Sequence, residues 1–208
     1  MSTFPWLTVL LVVPAVAAVV VAAVPRRFST AAKQITLAVT LVEFVVALLA
    51  TITYEPSRAG FQFAQKYWWI KQFGVSYSVG ADGISLVLIL LATLLVPVVV
   101  LASWDEVQAP GAQAAGTGVA GAGASTASRR SVPAFFALLL VLEAGMVGVF
   151  AATDVFLFYV FFEAMLIPMY FLIGSYGPVK EQAQRSYAAV KFLLYSLFGG
   201  LLMLAAVI

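Results

Sequence analysis

Four ionisable side chains lie inside stretches that are otherwise almost wholly apolar: Glu43, Glu143, Glu163 and Lys191. A charge at the centre of a membrane-spanning helix costs about 2.5–3.5 kcal/mol on insertion scales, so such residues normally face a protein interior or a water-filled cavity. A buried carboxyl group tends to keep its proton and a buried ammonium group tends to lose it, unless the two are paired. Because making and breaking such a pair binds and releases a proton, these residues predict a proton relay or a gated half-channel.

Two of these glutamates lie on either side of a short connection around Thr153 and Asp154, which predicts an antiparallel pair of helices. Glu143 precedes the connection by about eleven residues and Glu163 follows it by about nine, so both are expected roughly 15 Å below the same surface. Two carboxylates at matched depth could not easily both be ionised, so one is expected to hold a proton unless a cation is near. Lys191 is expected to supply that cation if its side chain extends toward the centre.

Pro168 and Glu43 each allow two interpretations. Pro168 follows Glu163 by five residues and has no N–H to offer the carbonyl of Ala164, which predicts a helix break with a free carbonyl beside the carboxylate. The alternative is an ordinary kink in a membrane helix. Glu43 is either an additional relay residue or a structural partner of a helix outside the sequence. For the other three ionisable residues, the alternative is a packing contact that only joins helices.

The composition places the elements that carry these residues in a lipid bilayer. The chain has 208 residues, of which 63% are hydrophobic and 10% charged, against about 45–50% and about 25% in a typical soluble domain. It contains no cysteine and no histidine, which excludes thiol chemistry, disulfides, cysteine-ligated metal sites and the usual haem ligand. The net charge of +2 is too small to indicate a nucleic acid partner.

Six apolar stretches are long enough to span about 30 Å of hydrocarbon, which predicts an all-α polytopic membrane protein with residues 1–208 in a single transmembrane domain. The first is interpreted as a retained helix, because Arg26 and Arg27 follow it and nothing basic precedes it. The last is still apolar at Ile208, which predicts a fragment of a longer protein, truncated in its sixth helix. The predicted spans are approximately 5–24, 34–54, 83–103, 133–152, 155–174 and 187–208.

The connections between the spans predict the orientation. Seven lysines and arginines, Lys33 among them, lie in the loops that are inner if the N-terminus is outside, against three in the outer loops. The outer loop 55–82 is interpreted as an irregular interfacial loop, although its alternating pattern also permits a short hairpin, and Asp82 is a candidate cap for the third helix. The segment 104–132 is rich in glycine and alanine and is predicted to be a flexible inner loop without chemistry.

Three segments resemble a known family. They are "LEAGMVGVFAATDVFLFYVFFEAMLIPMYFLIGSYG" (142–177), "RSYAAVKFLLYSLFGGLLML" (185–204) and "VGADGISL" (79–86). They look like the antiporter-like, proton-translocating subunits of respiratory complex I, the NADH:quinone oxidoreductase of bacteria and mitochondria. Relatives in multisubunit cation/proton antiporters and membrane-bound hydrogenases share "YVFFE" and stay alternatives, as does a scaffold subunit that transports nothing.

The resemblance implies a fold of fourteen helices and a role for each matching residue. Glu163 falls on the family's fifth-helix glutamate, which partners a lysine in the proton-input half-channel, Glu143 on a fourth-helix glutamate, and Lys191 on a sixth-helix lysine. The family's further relay residues, on later helices, lie beyond Ile208. It also implies that this chain holds no cofactor, since NADH, flavin, iron–sulfur clusters and quinone bind other subunits. The implied partners are other membrane-arm subunits, in the inner membrane of a bacterium.

Overall fold

A computed structural model describes residues 4–58, 60–70, 72, 75–105, 131–176 and 182–207. The described chain contains six long helices and one pair of strands. The helices are α1 (Trp6–Ala23), α2 (Ser29–Thr53), α3 (Gly83–Ala102), α4 (Val132–Ala151), α5 (Val155–Tyr176) and α6 (Gln182–Val207), and the strands are β1 (Gln62–Ile70) and β2 (Val75–Ala81).

All six helices in the described ranges are long and apolar enough to cross a membrane. This confirms the predicted all-α, multi-pass membrane protein, to which the strands add one small element. Two helices are longer than the sequence predicted: α2 begins at Ser29 rather than at 34, and α6 at Gln182 rather than at 187. The difference arises because hydropathy marks only the part of a helix that fits the hydrocarbon, while polar first turns can lie among the headgroups.

The helix α4 is the centre of the bundle and contacts α1, α2, α3 and α5, while α6 packs on the far side of α5. Two apolar cores lie one above the other. One is near the strands and includes Leu10, Ala47 and Val147; the other is at the opposite end and includes Ala18, Phe136 and Leu140. We call the two ends of the bundle the hairpin end and the far end.

The strands β1 and β2 form an antiparallel hairpin that covers one end of the bundle. The connection between α4 and α5 pairs with it: Thr153 N–H donates to the Ser78 carbonyl at 2.9 Å, and Ala152 bridges to Val79. The preferred interpretation of 55–82 as an interfacial loop was therefore wrong, and the short hairpin that its alternation permits is present. Short alternation in one loop is a weak signal, and the two strands gain further hydrogen bonds from residues 152–154, which lie more than seventy positions away.

Asp82 confirms its prediction as the cap of α3. Its carboxylate accepts a hydrogen bond from Ser85 N–H at 2.7 Å, and the Ser85 hydroxyl accepts one from Asp82 N–H at 2.9 Å, which is a reciprocal capping box. The bond from Ser85 N–H holds the pKa of the Asp82 carboxyl below its usual value. This cap begins α3 where the hairpin ends. The predicted flexible loop 104–132 lies almost entirely outside the described residues, which stop at 105 and resume at 131.

Candidate functional site

Glu43 of α2 and Glu143 of α4 meet inside the bundle. Their side chains are 1% and 0% exposed, and their carboxyl groups lie close enough to interact directly. Sequence reasoning marked both residues but paired Glu143 with Glu163, and it left open whether Glu43 had a partner in this chain. The structure makes Glu43 and Glu143 neighbours because α2 and α4 are in contact.

No donor satisfies this carboxyl pair. None of the four carboxyl oxygens of Glu43 and Glu143 has a hydrogen-bond partner in the described part of the chain. An ionised carboxylate can only accept hydrogen bonds, whereas a protonated one has an O–H to donate. The two carboxyl groups can approach each other without an outside donor if at least one of them is protonated, because its O–H then donates a hydrogen bond to the other.

The pair lies in a polar layer between the two apolar cores. On α2, Glu43 lies between Ala32 of the far-end core and Ala47 of the hairpin-end core. On α4, Glu143 lies between Leu140 of the far-end core and Val147 of the hairpin-end core. Two further hydroxyls, those of Thr40 and Thr93, are fully buried in the helices that contribute to this level, and each donates to a carbonyl of its own helix. The polar layer is therefore near mid-bundle, about 12–15 Å from the hairpin ends of α2 and α4.

A buried polar face of α2 leads from the far end of the bundle to Glu43. It consists of Lys33, Thr36, Thr40 and Glu43, all at most 1% exposed. Spacings of three, four and three residues place them on one side of a helix, and about 15 Å separates the first from the last. The Lys33 ammonium donates to the Trp104 carbonyl and lies 5.4 Å from that indole ring. The sequence-based prediction assigned Lys33 to a loop. The spacing of three and four residues between Lys33 and the polar residues that follow it indicates a helix instead.

Glu143 and Glu163 do not face each other. The helix α5 packs on α4 at Gly145 and Gly148, where a β-carbon would collide with Met165 and Phe161. Glu143 points about 140–160° away from this contact, since each residue turns an α-helix by about 100°. The pairing also places Glu163 opposite residues 146–147, about one helical turn nearer the hairpin end than Glu143. The depths of the two glutamates are therefore similar, as expected, but their carboxyl groups do not meet in the described chain.

Glu163 instead reaches toward α6. Its Oε1 packs directly on Gly200, leaves no room for a β-carbon there, and is buried without a hydrogen-bond partner among the described residues. The Tyr159 side chain, one turn earlier on α5, is near enough to interact electrostatically with this carboxyl group. The Glu163 residue as a whole is only half-buried, so its carboxyl group lies at the edge of the bundle rather than in the core.

Lys191 lies on the other side of α6. It is exposed, and its ammonium sits 5.8 and 5.9 Å from the rings of Tyr187 and Tyr195. Nine residues separate it from Gly200, which is two and a half turns, or about 13 Å along the helix and half a rotation around it. The structure therefore brings Lys191 to neither Glu143 nor Glu163. It places the ammonium on a face of α6 that the described helices leave uncovered.

Pro168 is buried within α5, which continues to Tyr176. The proline therefore does not end the helix, but it still cannot donate to the Ala164 carbonyl one residue beyond Glu163. No group of three or more histidine, cysteine, aspartate or glutamate side chains in the described ranges could hold a metal ion. The carboxyl, ammonium and hydroxyl groups of the site can bind and release protons.

The fold and these buried ionisable groups define a class: multi-pass, antiporter-like membrane subunits. Residues 152–208 match the family described as NADH:quinone oxidoreductase/Mrp antiporter, transmembrane. Respiratory complex I from Thermus thermophilus with bound NADH contains a chain that superposes with a TM-score of 0.73 and 27% identity, over 97% of this chain and 35% of that one. The chain is therefore similar to members of this family.

Within the family, the sequence is similar to subunit M. It is 43% identical to NADH-quinone oxidoreductase subunit M of Mycobacterium tuberculosis over 100% of this chain and 38% of that protein. It is 38% identical to NAD(P)H-quinone oxidoreductase chain 4 of Gloeobacter violaceus, over 98% and 33%. The chain spans about a third of the length of these curated relatives. The resemblance first seen in three short segments therefore extends over the whole chain.

Proposed function

We propose that this chain is part of a proton-translocating membrane-arm subunit of NADH:quinone oxidoreductase. In this proposal NADH oxidation and quinone reduction occur on other subunits, which bind NADH, flavin, iron–sulfur clusters and quinone, and this chain moves protons in response. The observation that carries the proposal is the Glu163 carboxyl group. It has a buried, unpartnered oxygen at the contact between α5 and α6, inside the segment that matches the family.

The geometry supports a distinct role for each ionisable residue. Glu163, at the edge of the bundle, receives and passes on protons, with Tyr159 beside it. Glu143 and Glu43 lie deeper and form a second station. Lys191 lies on an uncovered face of α6, and it exchanges protons with groups outside the described helices. Pro168 contributes the free Ala164 carbonyl, which can bind a water molecule beside the Glu163 carboxyl group.

The proposed partners are the other membrane-arm subunits, in a bacterial inner membrane. The uncovered faces of α5 and α6 carry large apolar side chains, such as Phe171, Leu194 and Phe198, which suit lipid or neighbouring helices. The lysine and arginine distribution favours an outer N-terminus, and in this proposal the hairpin end faces outward while the far end, with Arg26 and Arg27, faces the cytoplasm.

The test replaces Glu163 in the parent protein, assembled in its complex in sealed membrane vesicles. Glu163→Gln keeps the size and polarity of the side chain but cannot release a proton, so NADH-driven proton pumping should be nearly abolished while the complex still assembles. The control is Glu55→Gln, because Glu55 is an exposed carboxylate outside the helices. A normal ratio of protons pumped to electrons transferred in Glu163→Gln would sink the proposal.

A cation/proton antiporter subunit is the second candidate, because the description of the matching family names both kinds of protein. Such a subunit would exchange protons for sodium in vesicles that receive neither NADH nor quinone. Proton flux that depends on sodium and is indifferent to NADH would favour the antiporter. Flux that requires NADH oxidation and is indifferent to sodium would favour the oxidoreductase.

A further inference from the structure

The Glu43–Glu143 pair is a site in its own right, separate from Glu163. Both carboxyl groups are buried, they face each other across the contact between α2 and α4, and no donor in the described chain reaches any of their four oxygens. We propose that Glu43 and Glu143 form a neutral proton-binding site that holds two protons at neutral pH, one on each carboxyl group. Each acid can then donate its O–H to the other side chain.

The charges on the surrounding helices leave this pair without a counter-ion. Of the helices that pack around it, α1 and α3 contain no charged residue, and α4 contains only Glu143 itself. The helix α2 contributes Lys33, which lies about 15 Å along the helix from Glu43 and donates to the Trp104 carbonyl. The helix α5 contributes Glu163, which is also acidic and reaches toward α6. An ionised carboxylate in the pair would therefore be an uncompensated charge in an apolar bundle, which is strongly unfavourable.

The rest of a longer parent protein does not change this conclusion. The two side chains are enclosed by helices of this chain, with 1% and 0% of their surfaces exposed, so further helices can pack outside the bundle but cannot touch the carboxyl groups. Lys191 is uncovered on α6, beyond α5, and does not reach the pair. Among the described residues, only the protons on the two carboxyl groups themselves can satisfy the pair.

The use of this site as a store for transported protons rests on the proposed function, but its protonation does not. The measurement below reads the protons on the pair directly and does not depend on pumping. The two proposals can therefore fail separately. If pumping does not respond to Glu163→Gln while the pair is neutral, only the proposed function fails; if the pair is ionised in a subunit that pumps, only the proposed protonation fails.

The experiment is an infrared difference spectrum between the native complex and variants of the subunit. A protonated carboxyl group has a C=O stretch that is well separated from carboxylate bands and that shifts in deuterium oxide. The double variant Glu43→Gln with Glu143→Gln should lose absorption only in the protonated region, and each single variant should lose half as much there. Glu55→Gln is the matched control, because its exposed carboxylate should remove carboxylate bands alone.

The outcomes are decisive. Loss of protonated carboxyl absorption in the double variant, with the carboxylate bands unchanged, supports the proposal. Loss of any carboxylate intensity shows that one of the two groups is ionised and overturns it. Native gel electrophoresis of the purified complex, which does not depend on activity, checks that the variants assemble. If the double variant does not assemble, the single variants decide by the same criterion, since glutamine has nearly the shape of a protonated glutamate.

Discussion

Gly200 offers a way to move the Glu163 carboxyl group without altering Glu163. The Oε1 atom occupies the place where a β-carbon would stand at Gly200, and nothing lies within 4 Å of the corresponding position at Gly199. Gly200→Ala should therefore displace the carboxyl group, whereas Gly199→Ala, the same chemical change one residue earlier, should leave it in place.

The expected magnitudes separate function from stability. Replacing glycine by alanine inside a helix gains about 0.8–1 kcal/mol in each variant. At Gly200 this gain is offset by the cost of forcing the Glu163 side chain off its preferred rotamer, about 0.5–1.5 kcal/mol. The stability of Gly200→Ala should hence stay close to that of the native protein. Since a displacement of about 1 Å in a positioned group can cost about 100-fold in rate, we expect NADH-driven pumping to fall by at least about tenfold.

The assay measures proton pumping and NADH:quinone electron transfer in the same vesicles, together with the thermal stability of the purified complex. Gly199→Ala should pump normally and be the more stable of the two variants by about 1 kcal/mol. Equal pumping by the two alanine variants would refute the reasoning that the contact with Gly200 sets the position of a working Glu163 carboxyl group.

Two further predictions concern how the bundle holds these residues. Although partial burial alone raises the pKa of Asp154, hydrogen bonds from Leu157, Ser76 and Phe156 hold that pKa below its usual value. Its stabilising contribution is therefore present above about pH 4 and lost as the pH falls through the lowered pKa. The hydrogen-exchange protection factors of the hairpin, which are corrected for the intrinsic effect of pH, should fall in acid in the native protein. Protection factors that do not change with pH, or the same fall in Asp154→Asn, would contradict this. Gly148→Ala would place a β-carbon 2.6 Å from the Phe161 ring and should destabilise the protein by about 1–3 kcal/mol. Gly83→Ala is its control, because the added β-carbon there meets only ordinary contacts. Equal melting temperatures of the Gly148→Ala and Gly83→Ala variants would show that α4 and α5 can separate at no cost.

The candidate site was only partly predictable from the sequence. Intramembrane carboxyl and ammonium groups stand out in any apolar stretch, so Glu43, Glu143, Glu163 and Lys191 could all be named as candidates. Their pairing could not be predicted. Depth along a helix follows from residue number, but the direction of a side chain around the bundle depends on which faces of the helices pack together. The contact of α4 with α5 through Gly145 and Gly148 turns Glu143 away from Glu163.

The hairpin shows the same limit in the backbone. The alternation in 62–81 permits two paired strands, but the hairpin is also held by residues 152–154, which are remote in sequence. Local capping behaves differently, because Asp82 and Ser85 are three residues apart and bond within one turn. Their cap was therefore readable before any tertiary structure was known.

The sequence by itself determined that this chain is a set of membrane-spanning helices with ionisable groups near mid-membrane. Hydropathy and helical rise are local properties, so they predict the number of spans and the depth of each residue to within about one helical turn. Only the tertiary structure decided which groups meet: Glu43 with Glu143, Glu163 with Gly200, and Lys191 with no acidic group in the described chain. The physical reason is that close packing at small residues fixes the rotation of each helix, and rotation decides whether two charges at similar depth become partners.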